Sequence, residues 1–276
     1  MGLLGQSNNS GGRNASGRNE RGGLFGRGRP ASASVAEAVA PVESWADPHS
    51  VAFVDRYLKP GDRVLDIGAN LGGFAIQAAR RVGLQGSIDA FEPSPQMRMR
   101  LKEAVATARA LQVTIHPRLV SSANGLGRFL DGTGRFRRRR IVAPHELVSG
   151  GVIGVDQVML DRWVDARSYA LMKLDIAGCE MMALEGAADC LAIGNPPAIL
   201  IALDAALADF GSAPVLVAEW LAARGYETIL YDADRHKLDY VAEPWQRRRM
   251  VLAVAQSARN DVSRRLADYT PAAANG

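Results

Sequence analysis

Apolar residues change their spacing along this chain in a regular way. Short, nearly continuous apolar runs alternate with longer segments in which apolar residues recur every three or four positions. The runs suit strands buried on both faces, and the periodic segments suit amphipathic helices. A first helix is expected in "VAFVDRYLKPGD" (51–62), stopped by Pro60 and Gly61. Strand "RVLDIG" (63–68) leads to helix "GGFAIQAARRVG" (72–83), which Gly83 ends. Strand "SIDAFE" (87–92) precedes a helix over 94–110, with Ser94 as N-cap and Pro95 at the first helical position. "QVTIHPRLV" (112–120) reads as a third strand, and the turn-rich stretch 124–140 as a hairpin. Strand "YALMKLD" (169–175), helix "CEMMALEGAADCL" (179–191), strand "PAILIALD" (197–204) and helix "APVLVAEWLAAR" (213–224) follow. The last two strands, "YETILYD" (226–232) and "RMVLAVA" (249–255), have no helix between them and should pair antiparallel at one edge. Alternating strands and helices imply a parallel sheet with right-handed crossovers and helices on both faces.

Composition adds boundaries to this picture. Residues 1–34 are mostly Gly, Arg, Asn and Ser, with little to bury, so a disordered tail is expected there. Such a tail could be a solvated extension, a polyanion-binding arm or an organelle transit peptide. A folded domain should span 35–257, with a C-terminal tail over 258–276. No apolar run approaches the roughly 20 residues that span a bilayer, and the start lacks the features of a secretory signal. The two cysteines, Cys179 and Cys190, suggest free thiols in a reducing cytoplasm rather than a disulfide framework. Net charge is only +4, so affinity for polyanions would have to come from local clusters such as "RFRRRR" (135–140).

The stretch "VLDIGANLGG" (64–73) runs from a strand into a glycine turn, where a backbone can close around a ligand. A P-loop would need Lys and Ser or Thr at fixed spacing after the glycines, and none arrives. A dinucleotide turn needs glycine at its second position, where this chain has Asn70. The turn reads Asp66-x-Gly68-x-Asn70-x-Gly72, with a carboxylate able to accept from an ammonium group. Glu92, at the tip of the second strand, is placed to accept ribose hydroxyls. A nucleoside with a zwitterionic tail satisfies both demands, and S-adenosylmethionine is such a molecule.

From about Val51 to Ala255 the chain resembles class I, Rossmann-like S-adenosylmethionine methyltransferases, and more narrowly the FkbM family. The resemblance rests on "LKPGDRVLDIGANLGGFAIQAA" (58–79), "IDAFEPSPQMRMRLKEAV" (88–105), "VSS" (120–122), "VMLDRWV" (158–164) and "MKLDIAGCEMMALEGA" (172–187). The last is similar to the family element K-x-D-x-E-G-x-E-x-x-x-L-x-G. The resemblance implies a seven-stranded, mostly parallel sheet with an antiparallel edge strand. It places Asp66, Gly68, Asn70 and Gly72 at the methionine part, Glu92 at the ribose, and Ser121 and Ser122 near the adenine. It also implies O-methylation of a hydroxyl on a sugar, glycan or natural product. Ala177 stands where the motif carries its first glutamate, and Cys179 where it usually has alanine. Ala202 and Asp204 stand where a glutamate and often a histidine appear.

On the acceptor side, Asp175 ends the fourth strand at the edge where open α/β sheets bind ligands, and Glu180 opens the next helix. Each is a candidate to orient the acceptor or take its proton; each could equally cap the helix. Lys173 reads as a structural ion-pair partner. The four histidines, His49, His116, His145 and His236, lack metal-ligand spacing, so no metal site is expected. Two rival readings stay open: an RNA methyltransferase, suggested by the Arg-rich tail and run, and a non-catalytic S-adenosylmethionine-binding protein, suggested by Ala177 and Ala202. Against RNA, "DIAG" stands where a base-methylating N-P-P-[FYW] motif would follow the fourth strand.

Overall fold

The structure, a computed structural model, describes residues 45–132, 139–142, 146–148, 150–164 and 167–269. The expected N-terminal tail, Arg135–Arg138 and His145 lie outside them. The chain opens with α1 (Pro48–Tyr57), whose N-cap Asp47 accepts from the amides of His49 and Ser50. Then come β1 (Arg63–Ile67), α2 (Gly73–Val82), β2 (Ser87–Phe91), α3 (Pro95–Thr107), β3 (Val113–His116), β4 (Leu119–Val120), β5 (Gly125–Leu130), β6 (Arg140–Ile141) and β7 (Val152–Val158). The second half holds α4 (Leu160–Val164), β8 (Leu171–Leu174), α5 (Glu180–Glu185), α6 (Ala188–Ala192), β9 (Ala198–Ala202), α7 (Pro214–Ala222), β10 (Tyr226–Asp232), β11 (Lys237–Asp239), β12 (Met250–Ala255) and α8 (Arg259–Ala267).

The main sheet has the order β11-β10-β12-β9-β8-β1-β2-β3. Strands β3, β2, β1, β8 and β9 are parallel, and β12 runs antiparallel to both its neighbours, β9 and β10. The antiparallel pairing of the last two long strands is present, but β12 is inserted one place in from the edge, which the short β11 takes. Burial explains the order. Every residue of β12 is buried, so it needs a neighbour on each side, whereas Lys237 and Asp239 of β11 are exposed and suit an edge. The chain steps outward from β1 to β3 and returns to β8 on the other side of β1. That makes β1/β8 the switch point where such sheets bind ligands.

Two cores cover the two faces. On one, Val64, Ile88, Leu171 and Leu200 meet Phe53, Phe74 and Val262 of α1, α2 and α8. On the other, Ile67, Met172, Leu174 and Ile201 meet Leu184, Leu191, Val217 and Leu221 of α5, α6 and α7. Fully burying each such side chain stabilises the fold by about 1.5–3 kcal/mol. Several sequence expectations change here. The strand over 112–120 divides at Pro117, which has no amide to donate, and β4 joins a second sheet of order β4-β7-β5-β6. The expected hairpin is the pairing of β5 with β6, widened by β7. The helix over 179–191 divides after Glu185, where the Gly186 carbonyl accepts from the Asp161 amide and the Asp161 carboxylate takes the amides of Asp189 and Cys190; Gly186 itself lies against the Ser121 carbonyl, where a Cβ would come within 2.0 Å. The segment assigned to a C-terminal tail contains α8, whose Val262 and Leu266 join the first core.

Candidate functional site

The glycine turn leaves β1 with its amides tied to the neighbouring strand: Gly68 and Ala69 both donate to the Phe91 carbonyl, at 3.0 Å each. Gly68, Asn70 and Gly72 all have positive φ, at 83°, 49° and 87°. The space a side chain would need is filled by protein. A Cβ on Gly68 would sit 2.1 Å from the Asp175 carbonyl oxygen, and one on Gly72 would sit 2.6 Å from Leu101 Cδ1 of α3. The expectation that these glycines make room for a ligand is therefore refined: Gly68 makes room for the backbone at β8's exit, and Gly72 lies against Leu101 of α3.

Asp66 is fully buried in β1, opposite Lys173 in the parallel register of β8. Lys173 Nζ donates to Asp66 Oδ1 at 3.0 Å and to the Gly68 carbonyl at 2.8 Å. The ion-pair role expected of Lys173 is the one it has, and the ammonium that Asp66 meets is the chain's own. Burial raises the Asp66 pKa and the Lys173 charge opposes the rise. Asp66 Oδ2 stays buried with no hydrogen-bond partner among the described residues. Such an orphaned carboxylate oxygen beside a glycine turn fits a ligand carrying an ammonium group.

Glu92 is likewise buried, and it ties the second strand to the turn. Its Oε2 accepts from the Asn70 amide and its Oε1 from the Ser94 amide, both at 2.9 Å. Burial pushes its pKa up, against those two hydrogen bonds and the Lys173 charge. Each oxygen retains a lone pair, so the carboxylate fits a vicinal diol. Ser94 caps α3, accepting from the Met97 amide, and donates to Asp131 Oδ1 at 2.7 Å. Ser121, buried at the end of β4, donates its amide to the Val158 carbonyl; Ser122 beside it is half-buried. Both belong to the second-sheet connection rather than to the end of β3.

At the carboxyl end of β8, Asp175 donates its amide to the Ile67 carbonyl and abuts Gly68. Its carboxylate does not cap α5. Asp175 Oδ2 accepts from Arg249 Nη1 at 3.1 Å and Oδ1 from Arg249 Nη2, while Arg249 Nε donates to Asp204 Oδ2 at 2.7 Å. Burial would raise the Asp175 pKa, but the charge of Lys173 and the Arg249 fork outweigh it and hold the carboxyl below its usual range. Glu180 has both oxygens on the preceding loop, accepting from the amides of Ile176 and Gly178 at 2.9 Å each. Burial first, then the nearby Asp175 and Asp204 charges, push its pKa up to about 7. Ala177 in that loop has φ 55°, and Gly178 packs where a Cβ would be 2.2 Å from the Ala206 carbonyl.

The second sheet packs onto these same segments. Leu119, Phe129, Ile141 and Val155 cluster with Cys179, with Met182 of α5, and with Ile176 and Phe210 from the segments that follow β8 and β9. It thus forms a wall beside the ligand edge. Cys179 is buried there, and burial pushes its thiol up to about 12, so it is not a nucleophile. Of the basic run, Arg139 reaches Asp131 and Gln96, and Arg140 pairs with Glu146. His116 pairs with Asp89 at 2.7 Å, His49 accepts from the Ala233 amide, and His236 is exposed. Sequence reading missed Arg249. The only signal for it was its place directly before an apolar strand.

Comparison with known proteins follows this geometry. The model of the methyltransferase FkbM domain matches residues 66–228, from Asp66 in β1 to β10. A search of curated proteins gave no match. Among solved structures, fibrillarin from Aeropyrum pernix with bound S-adenosyl-L-methionine is 16% identical, with a TM-score of 0.40 over 74% of this chain and 73% of that one. An S-adenosylmethionine-dependent O-methyltransferase from Thermotoga maritima is 15% identical, with a TM-score of 0.40 over 75% and 64%. An rRNA methylase from Streptococcus thermophilus is 14% identical, with a TM-score of 0.41 over 74% and 91%. No acceptor is read from such distant likenesses. The family match spans more than half of the chain, so the protein belongs to the FkbM methyltransferases, enzymes of the class I Rossmann-like fold that use S-adenosylmethionine.

Proposed function

We propose that this methyltransferase is an O-methyltransferase acting on a hydroxyl of a sugar, glycan or natural product. The observation that carries the reading is the Asp175 carboxylate, held at the ligand edge of β8 with its own backbone against the Gly68 turn. The cofactor supplies an electrophilic methyl group on a sulfonium. Asp66, Gly68, Asn70 and Gly72 would form its methionine side, Glu92 its ribose side, and Ser121 and Ser122 its adenine side. The Asp66 Oδ2, which has no partner among the described residues, and the lone pairs that Glu92 retains beyond its two amide contacts support those assignments. Asp175 aligns the acceptor hydroxyl and takes its proton as the new bond forms. Glu180 shapes the 176–178 loop through its two amide contacts and acts on the acceptor only by way of that loop. The two buried free thiols support a reducing, cytoplasmic setting, and among the described residues no helix is long and apolar enough to cross a membrane.

The test uses full-length protein with methyl-labelled S-adenosylmethionine and separate pools of glycans, small hydroxylated molecules and RNA. Label in a hydroxylated acceptor is the expected result. Label in RNA alone, or cofactor binding without transfer to any pool, overturns it. With the acceptor in hand, Asp175→Asn should lower kcat on the order of 10²-fold while cofactor affinity, measured by calorimetry, stays within twofold. Unchanged turnover would remove Asp175 from the chemistry.

A further inference from the structure

Strand β12 is the single long strand of the main sheet that opposes β8, β9 and β1, and this gives its first residues an unusual position. The five parallel strands and β10 end at the ligand edge, whereas β12 begins there. Met250 pairs with Ala202, the last residue of β9, and the Arg249 carbonyl accepts from the Leu203 amide at 2.8 Å. Arg249 is therefore anchored by its backbone at the mouth of the site. Its guanidinium makes a fork with both oxygens of Asp175 and reaches Asp204 through Nε. Asp204 is itself fixed, since its other oxygen accepts from the Ala206 amide at 2.8 Å. The Arg249 side chain is 46% exposed, so this is no core bridge; it lies open on the edge where an acceptor must enter.

We propose that Arg249 is the positioning residue of the acceptor site, fixing the plane and direction of the Asp175 carboxylate. The inference rests on the reading of Asp175 given above. A carboxylate on one side chain can rotate about two torsions, and a two-point fork removes that freedom in a way that a point charge does not. The groups facing Asp175 are Lys173 on its own strand, Asp66 across β1, Glu180 on α5, and Arg249 and Asp204 from the far side. Removing Arg249 leaves Lys173 as the single cation against burial and three carboxyl groups.

Three variants of the full chain test this: Arg249→Gln, Arg249→Lys and Asp175→Asn. In Arg249→Gln, kcat should fall about tenfold or more, cofactor affinity should hold, and the acid limb of kcat/KM should move to higher pH. In Arg249→Lys, the acid limb should stay near that of the parent while kcat still falls, because the charge remains and the fork is lost. A readout that needs no acceptor is the titration of the Asp175 carboxyl by carbon-13 NMR, which should move to higher pH in Arg249→Gln. The inference is overturned if Asp175→Asn is impaired while Arg249→Gln keeps both kcat and the acid limb, or if the Asp175 titration does not move. If Asp175→Asn retains full turnover, the reading beneath it falls instead.

Discussion

At the residue scale, the glycines of the turn are dictated by the protein around them. Gly68 combines φ 83° with a neighbour 2.1 Å from any Cβ, so even alanine would force the turn away from Asp175. Gly68→Ala should weaken cofactor binding by at least about tenfold and lower thermal stability, read by calorimetry and by melting. Unaltered affinity would show that the turn tolerates displacement. Glu180 gives a pH test. Its carboxyl is raised from 4.5 to about 7 in the fold, so its stabilising contribution is complete below the unfolded value and is lost as pH rises through about 7. The native protein should therefore lose stability between roughly pH 4.5 and 7 through this group. Glu180→Gln should flatten that part of the Tm-against-pH curve. An identical slope in the variant would show that Glu180 does not titrate there.

At the element scale, what was legible in the sequence tracked how strongly each element declares one period. β1, β8 and β9 are nearly continuous buried runs and read correctly as strands of the parallel sheet, whereas β12, buried throughout, was expected at an edge and lies one place in from it. α8 was invisible because its apolar residues are only Val262, Leu266 and the terminal Ala267, among Arg, Asn, Asp and Ser. Yet Leu266 is buried, and Arg265 of the same helix pairs with Asp62 at 2.7 and 3.1 Å. Leu266→Ala should cost about 2–3 kcal/mol, a Tm drop of roughly 5–10 °C for a domain of this size. A drop below about 2 °C would show that the helix is not integral. The break at Gly186 could not be read either, since the backbone groups around it pair with Asp161, far away in sequence.

At the scale of the whole molecule, strand alternation revealed the parallel sheet and its switch point, and with them the turn, Glu92 and Asp175. It could not reveal the second sheet. β4 and β6 are only two residues long, β5 and β7 carry Gly125, Gly127 and Gly154, and the sheet is recognisable only through partners such as Cys179 and Phe210 on other elements. Arg249 was hidden for the same reason, because its meaning comes from a strand that runs against the others.

The Asp66–Lys173 pair has one more consequence. It joins residues 107 positions apart, on strands that meet only after β2, β3 and the whole second sheet have been laid out. A one-residue slip of β8 along β1 would turn Lys173 to the opposite face and strand Asp66 in an apolar core. Breaking such a buried pair costs several kcal/mol. The pair thus enforces the β1/β8 register: a slipped chain is penalised at the point where the cofactor turn is built.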